Sequence, residues 1–289
     1  MVSPEGGSGS PDKESDAEKI ARLEQELAES KTENERRERR VNAAERKKLE
    51  LEGEVLDLKE QIEKLKRDTL TGLENRGNFF NRLYDNLEGH LDNDDKLLKL
   101  LEQDSLSDED LEHLGKIDFS VTSIDLGFLS KYNEDPEITK HFGGGHGGGD
   151  KILEEMANDM TEVIAEEEPD VSDDKLKSVA YRIGGDEFAI IAPKPDEEVH
   201  DLLKKVQIGH SKIEIKGDDG ETVPVDLDPV LNYGVASIQE AAEVFVKAIP
   251  AEMKAEMLKD KDVLIKKLQD FMINILTVGL KELRPRNGL

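Results

Sequence analysis

The sequence predicts an α+β domain, a central antiparallel sheet with helices packed on its faces, carried behind a long coiled-coil helix. Three observations predict it. A heptad register runs without a slip from Ile20 to Leu65, apolar except at Ser30, Asn34, Arg37 and Lys48 in its middle. Beyond Asp68, strand-like and helix-like segments interleave. In the middle of them Gly184 and Gly185 join two strand-like runs, the signal of a hairpin.

Length and charge bound the rest. The 289 residues give room for one sizeable domain plus a long accessory segment. Asp and Glu number 67 against 40 Lys and Arg, a net charge of −27, so the field has the wrong sign for a protein that coats nucleic acid. With no cysteine the chain has no disulfide framework, thiolate metal site or Cys nucleophile. No apolar run approaches the roughly 20 residues of a membrane helix; the best, Phe271 to Leu280, is interrupted by Asn274. Residues 1–15 are rich in Gly, Ser and Pro with no basic-then-apolar order, so they read as a disordered tail and not as a signal peptide, and the expected location is the cytoplasm.

Residues 16–67 are the coiled-coil segment. Ile20, Leu27, Asn34, Val41, Lys48, Val55 and Ile62 fall at a positions, and Leu23, Ser30, Arg37, Ala44, Leu51, Leu58 and Leu65 at d. β-Branched residues at a with Leu at d favour two parallel strands, and a buried Asn at a penalises other registers. The expectation is a homodimer; a single solvated helix laced by Glu–Lys pairs is the alternative. Residues 68–289 form the α/β region. Its opening stretch, TLTGLENRGNFFNRLYDNL, reads as a turn and an amphipathic helix. The acidic segment that follows, to Lys116, is helical in flavour and expected at the periphery. KIDFSVTSIDL reads as a strand running into Asp125, DKILEEMANDMTEVIAEEE as a helix, and SVAYRIGGDEFAIIAP as the hairpin. A helix from Asp196 to Val206, strands near Lys212–Lys216 and Val230–Ser237, and closing helices complete the chain.

Carboxylates stand at the strand ends. Asp125 ends one strand, and Asp186 with Glu187 sits at the hairpin tip. If those strands are neighbours, the acids converge, and close carboxylates repel unless a hard cation such as Mg²⁺ or Mn²⁺ neutralises them. Gly184 and Gly185 would let backbone approach a bulky ligand. An ordinary turn with solvated acids is the alternative reading. The run HFGGGHGGGDKIL, from His141, frees backbone N–H groups before a helix but lacks the Gly-Lys-Ser/Thr of a P-loop.

Together these pieces resemble a known family. Asp68-Thr-Leu-Thr-Gly-Leu-Glu-Asn-Arg76 with Phe79 is similar to the opening motif D-x-L-T-G-L-x-N-R-x-x-F of GGDEF domains, and Tyr181-Arg-Ile-Gly-Gly-Asp-Glu-Phe188 carries the signature itself. Asp125 and Asn133 match the D-x-D-x-F-K-x-x-N-D segment, Gly145-His146 and Gly149-Asp150 match G-H-x-x-G-D, and Tyr233-Gly-Val-Ala236 resembles the late S-x-G-x-A strand. The resemblance implies a palm-like βαββαβ fold, shared with nucleotidyl cyclases and polymerases. It also implies a diguanylate cyclase that condenses two GTP to cyclic di-GMP with release of two pyrophosphates.

By the family's pattern Asp125 would bind metal, Mg²⁺ or Mn²⁺, through its carboxylate and Leu126 through its carbonyl. Asp186 would be a ligand and the proton acceptor for the ribose 3′-hydroxyl, with Glu187 beside the metals. Asn133 and Asp150 would read the guanine edge, Gly184 and Gly185 would line the nucleotide, and backbone near Phe128 and Leu129 would hold phosphate. Lys281 and Arg286 are the matches for the C-terminal phosphate-binding pair, with Lys247 a weaker competitor. Each protomer would hold one GTP, so the upstream coiled coil would raise the effective concentration of one domain near the other.

The sequence departs from the pattern in places. Gly127 replaces the second Asp and Ser130 the Lys, extra residues precede Gly145, and Lys175-Leu-Lys-Ser178 stands where many members carry an Arg-x-x-Asp product site. The alternative function is therefore a catalytically weak GGDEF module that binds GTP or cyclic di-GMP as a regulator. At Lys175 and Ser178, placed on an exposed turn, the loss of the planar fork and of the carboxylate predicts no tight product inhibition.

Overall fold

A computed structural model describes residues 15–127, 129–134, 136, 140, 147–169, 171, 177–209, 213–216, 222–225 and 231–283. The chain divides into two compact units, residues 1–64 and 65–289.

The first unit is the helix α1, Asp16–Leu65, continuous over 50 residues and with no buried residue. At 1.5 Å per residue it is about 75 Å long. Acids occupy its first turn and Lys64 its last, the order that the helix dipole favours. Its flanks carry pairs such as Arg22–Glu26, Lys48–Glu52 and Lys64–Glu60. The heptad residues Ile20, Leu23, Leu27, Val41, Leu51, Val55, Leu58 and Ile62 are all exposed on the single chain. Such a stripe is what a second helix covers in a coiled coil.

The second unit is a five-stranded sheet between two helical layers. In chain order it comprises β1 (Glu74–Asn75), α2 (Arg76–Asn93), α3 (Asp95–Leu101), α4 (Asp108–Leu114), β2 (Ser120–Leu126), α5 (Leu129–Glu134), α6 (Gly147–Glu167), β3 (Val179–Gly184) and β4 (Glu187–Ala192). Then follow α7 (Asp196–Gly209), the small separate ribbon of β5 (Ile213–Lys216) and β6 (Thr222–Val225), β7 (Leu231–Ser237), α8 (Ile238–Ala248), α9 (Ala251–Met257) and α10 (Lys261–Leu283). The strand order is β1-β3-β4-β2-β7; β1 runs parallel to β3 and the other pairs are antiparallel. The run β2-α6-β3-β4-α7-β7 is the expected βαββαβ core.

Strand alternation sorts the side chains into two cores. On one face Ile124, Leu126, Phe188, Ile190 and Leu231 pack with Ile152, Met156 and Met160 of α6 and Val199 and Leu203 of α7. On the other, Val121, Tyr181, Ala189, Ile191 and Ala236 pack with Phe79 and Leu83 of α2, Phe245 of α8, and Leu268 and Met272 of α10. Both faces of β2 are covered, so this strand is apolar or small on both sides apart from Asp125 at its end.

The acidic segment after Asp85 is not peripheral. Leu97, Leu100, Leu101 and Leu114 of α3 and α4 are buried in the second core. Asp94 caps α3 through Lys96 and Leu97 N–H, and Ser107 with Asp110 forms a capping box on α4. The charged residues that dominate this segment face outward and leave the leucines on one side. Lys254 of α9 lies fully inside this layer, donating from Nζ to the carbonyls of Gln103 (2.5 Å) and Val246 (2.8 Å). Among the described residues no helix is long and apolar enough to cross a membrane.

Candidate active site

The hairpin between β3 and β4 has a two-residue loop, Gly185 and Asp186. Gly185 takes a φ of +55°, which side chains resist, and such a residue lets a two-residue hairpin follow the right-handed twist of its strands. A register shift between Arg182 and Gly184 marks a bulge on β3 just before the turn. A Cβ placed on either glycine would meet no atom within 4 Å, so open space lies above the turn.

Pairing places the acids. Asp125 stands opposite Glu187 across β2 and β4. Directly opposed residues on antiparallel strands share a face, with Cβ atoms about 5 Å apart. Asp125 is only 8% exposed, whereas Glu187 is open to solvent and Asp186 half-buried. The turn is sewn to the end of β2 by Leu126 N–H, which donates to the carbonyl of Asp186 (3.1 Å). Among the described residues, no group of three or more carboxylates or imidazoles is arranged to hold a metal by itself. Two carboxylates abreast fit the habit of Mg²⁺, which is commonly held by one or two acids together with substrate phosphates.

A second cluster forms between α5 and α6. Gly149 N–H donates to Asn133 Oδ1 (2.9 Å), satisfying one of the orphan donors in the first turn of α6. A Cβ on Gly149 would come within 2.6 Å of that oxygen, so only glycine allows Asn133 to sit there. Asp150, the next residue of the same turn, is half-buried. Leu129 opens α5 and packs on the first core.

Phe128, His141, Gly145, His146 and Arg286 lie outside the described residues. Lys281 belongs to the last turn of α10, five residues past Leu276, whose carbonyl would lie 3.1 Å from a Cβ on Gly234. That is about 7.5 Å along the helix from the contact with β7. Lys247 is exposed on α8, paired with Glu243 one turn earlier.

Arg182 has a role that spacing alone does not indicate. Its Nη1 donates to Asp68 Oδ1 (2.9 Å), while Nε (3.2 Å) and Nη2 (2.9 Å) both donate to the carbonyl of Gly185. The same Asp68 oxygen accepts from the N–H groups of Leu70 and Thr71 and from the Thr71 hydroxyl, forming a compact turn closed by Gly72 at φ +71°. Burial alone would raise the Asp68 carboxyl, but the bonds from Thr71 and Arg182 outweigh it and hold it below its ordinary value. One guanidinium thus ties the turn at residues 68–72 to the hairpin tip. The Arg before the two glycines was the available signal; its partner could not be read without the fold.

The position of the product-site motif is also corrected. Lys175 lies outside the described residues, but Ser178 is buried and not on an exposed turn. Glu168 accepts from Ser178 N–H (2.8 Å) and from its hydroxyl (2.6 Å), and pairs with Lys194 (2.9 Å). Burial pushes the Glu168 carboxyl up, and the bonds from Ser178 and Lys194 more than reverse it. The serine holds the end of α6 to the start of β3.

Comparison with known proteins adds the following. Residues 118–257 match the family described as "Diguanylate cyclase, GGDEF domain". No curated protein matches the chain. Among solved structures, the coiled coil and GGDEF domain of DgcB from Caulobacter crescentus, in complex with c-di-GMP, is 17% identical, covering 85% of this chain and 94% of that one at a TM-score of 0.43. Diguanylate cyclase SiaD from Pseudomonas aeruginosa, solved with its activator SiaC, is 18% identical, covering 87% of this chain and 83% of that one at 0.39. The FimX GGDEF domain from Pseudomonas aeruginosa is 17% identical, covering 75% and 93% at 0.41.

Proposed function

We propose, from the premise that residues 118–257 are a GGDEF domain, that the chain is a diguanylate cyclase, joining two GTP molecules into cyclic di-GMP with release of two pyrophosphates. The observation that carries this reading is the register of Asp125 against Glu187 beside the open Gly184–Gly185 turn.

Each residue then has a task. Asp125 and Glu187 hold a divalent cation together with the substrate's phosphates, with the Leu126 carbonyl beside them. Mg²⁺ or Mn²⁺, if held there, would supply positive charge against the charge developing at the α-phosphate and make the 3′-hydroxyl easier to deprotonate. Asp186 accepts the proton of the ribose 3′-hydroxyl. Asn133 and Asp150 take the guanine edge, where an amide and a carboxylate match a mixed row of donors and acceptors. The glycines leave room for the nucleotide, backbone near Leu129 lies along its phosphates, and Lys281 supplies positive charge to them. One domain holds one GTP, so two copies must face each other, and α1 joins them as a parallel coiled coil.

The test is incubation of the purified chain with GTP and Mg²⁺, following cyclic di-GMP and pyrophosphate. Turnover is expected from the wild type, with a loss of roughly 10²-fold or more in Asp186→Ala, the scale of lost charge stabilisation at a reacting centre. Wild-type turnover in that variant refutes the assignment. A second reading, a weak module that binds GTP or cyclic di-GMP without turning it over, is favoured by one observation. The oxygen of Asn133 already accepts from Gly149 and is thus partly committed before guanine arrives. Binding without product would decide for it.

A further inference from the structure

Asn232 belongs to the same row as the two acids. It stands opposite Asp125 across β2 and β7, just as Glu187 stands opposite Asp125 across β2 and β4. The alternation agrees on all three strands. Asp125, Glu187 and Asn232 are in phase with Val121, Ala189 and Ala236 of the second core, and out of phase with Ile124, Phe188 and Leu231 of the first. They therefore share one face of the sheet, spaced by one strand each, about 4.8 Å. Gly234, the next residue of β7 on that face, lies against the Leu276 carbonyl, so α10 covers the row behind them.

Asn232 is 9% exposed, and no described residue hydrogen-bonds its amide. Neither polar atom of that amide is fully buried, so it keeps a path to the open end of the row, where a ligand can meet it; Leu would serve if the place only had to be filled. We infer that Asn232 contacts substrate: its –NH₂ donates to a phosphate oxygen of the nucleoside triphosphate held beside Asp125 and Glu187. The inference rests on the function proposed above. The chemistry selects the ligand atom. Two carboxylates admit a phosphate only with a cation, and the oxygens next to that cation are acceptors. An amide supplies a donor to them. A third carboxylate in the row would add repulsion, and a lysine would compete with the cation.

The experiment is calorimetric titration of the full chain, in Mg²⁺, with guanosine and with a GTP analogue carrying a methylene bridge between its α- and β-phosphates. Asn232→Leu is expected to weaken the analogue by about tenfold, the loss of one charge-assisted hydrogen bond, while guanosine binds as to wild type and the melting temperature holds or rises. Should the Leu variant not fold, Asn232→Ala must show the same split. Wild-type affinity for the analogue in a folded variant overturns the inference and leaves the cyclase reading standing. Failure of the wild type to bind either ligand overturns both. An equal loss for guanosine and analogue overturns it too, since that pattern belongs to a residue that only supports the fold.

Discussion

Removing the Arg182 side chain should loosen the hairpin tip and the turn at residues 68–72 together. The guanidinium makes three N–H donations at 2.9–3.2 Å, one to a carboxylate and two to a carbonyl. Charge-assisted bonds contribute about 1.5–3 kcal/mol each when buried. Here the side chains of Arg182 and Asp68 keep 13% and 25% of their surface exposed, and the two bonds to Gly185 share one acceptor, so the sum must be discounted. The expected cost of Arg182→Ala is about 2 kcal/mol. For a domain of this size that is roughly 4–8 °C in melting temperature. Arg182→Lys keeps the charge without the fork and should recover no more than about half.

The assay is thermal unfolding of Arg182→Ala, Asp68→Asn and the double variant, with cyclase turnover measured beside it. A coupling of about 1 kcal/mol between the two sites is expected, as for residues in direct contact. The sign with pH is fixed. Asp68 is held below its ordinary 3.8, so the stabilisation from the pair is full above that value and fades as pH falls through the lower folded value. A double variant whose loss equals the sum of the singles, or an unchanged melting temperature in Arg182→Ala, refutes the reasoning.

Burial first, then the neighbours Glu162 and Glu155, push the Asp159 carboxyl up to about 6. An acid so raised destabilises the fold above pH 6 and is relieved as pH falls through it. Asp159→Asn should therefore stabilise at pH 8 by roughly 1 kcal/mol after screening and show no gain near pH 4, checked by denaturation at both. Deleting residues 16–64 should lower specific activity at micromolar protein while leaving the domain folded; equal activity at all concentrations would remove the dimer argument. Added cyclic di-GMP should not inhibit at submicromolar levels through Lys175 and Ser178. Such inhibition, abolished in Lys175→Ala, would contradict this.

Where structure follows from near neighbours, the sequence could be read directly. The heptad of α1 repeats within seven residues, and the Gly184–Gly185 hairpin declares itself in eight, so both were legible. Alternation along β2 and β4 was equally local, and it carried Asp125 and Glu187 to the correct strand ends. The segment of α3 and α4 was expected at the periphery because it is so acidic; its leucines are buried against α2 and against α8, which lies far along the chain. Ser178 looks like a turn residue until Glu168, on another element, takes its hydroxyl. Asn232 carried no local signal, since its meaning lies in the pairing of β7 with β2. Arg182 was visible as a residue of the motif, but its link to Asp68 depends on the parallel pairing of β1 with β3.

Lys254 has a consequence for cooperativity. Val246 is among the last residues of α8, and Gln103 follows the end of α3, so both carbonyls are helix-end acceptors that their own helices cannot satisfy. A single ammonium closes both. Neither helix can fray at that end without stranding a buried cation, and the acidic segment after Asp85 is thereby wired into the C-terminal helices. Excising it would not return a smaller domain, because α8 and α9 would lose their anchor. In hydrogen exchange α3, α8 and α9 should open as one unit, with one shared protection energy. The segment that looks most like an ornament in the chain is, energetically, a part of the frame.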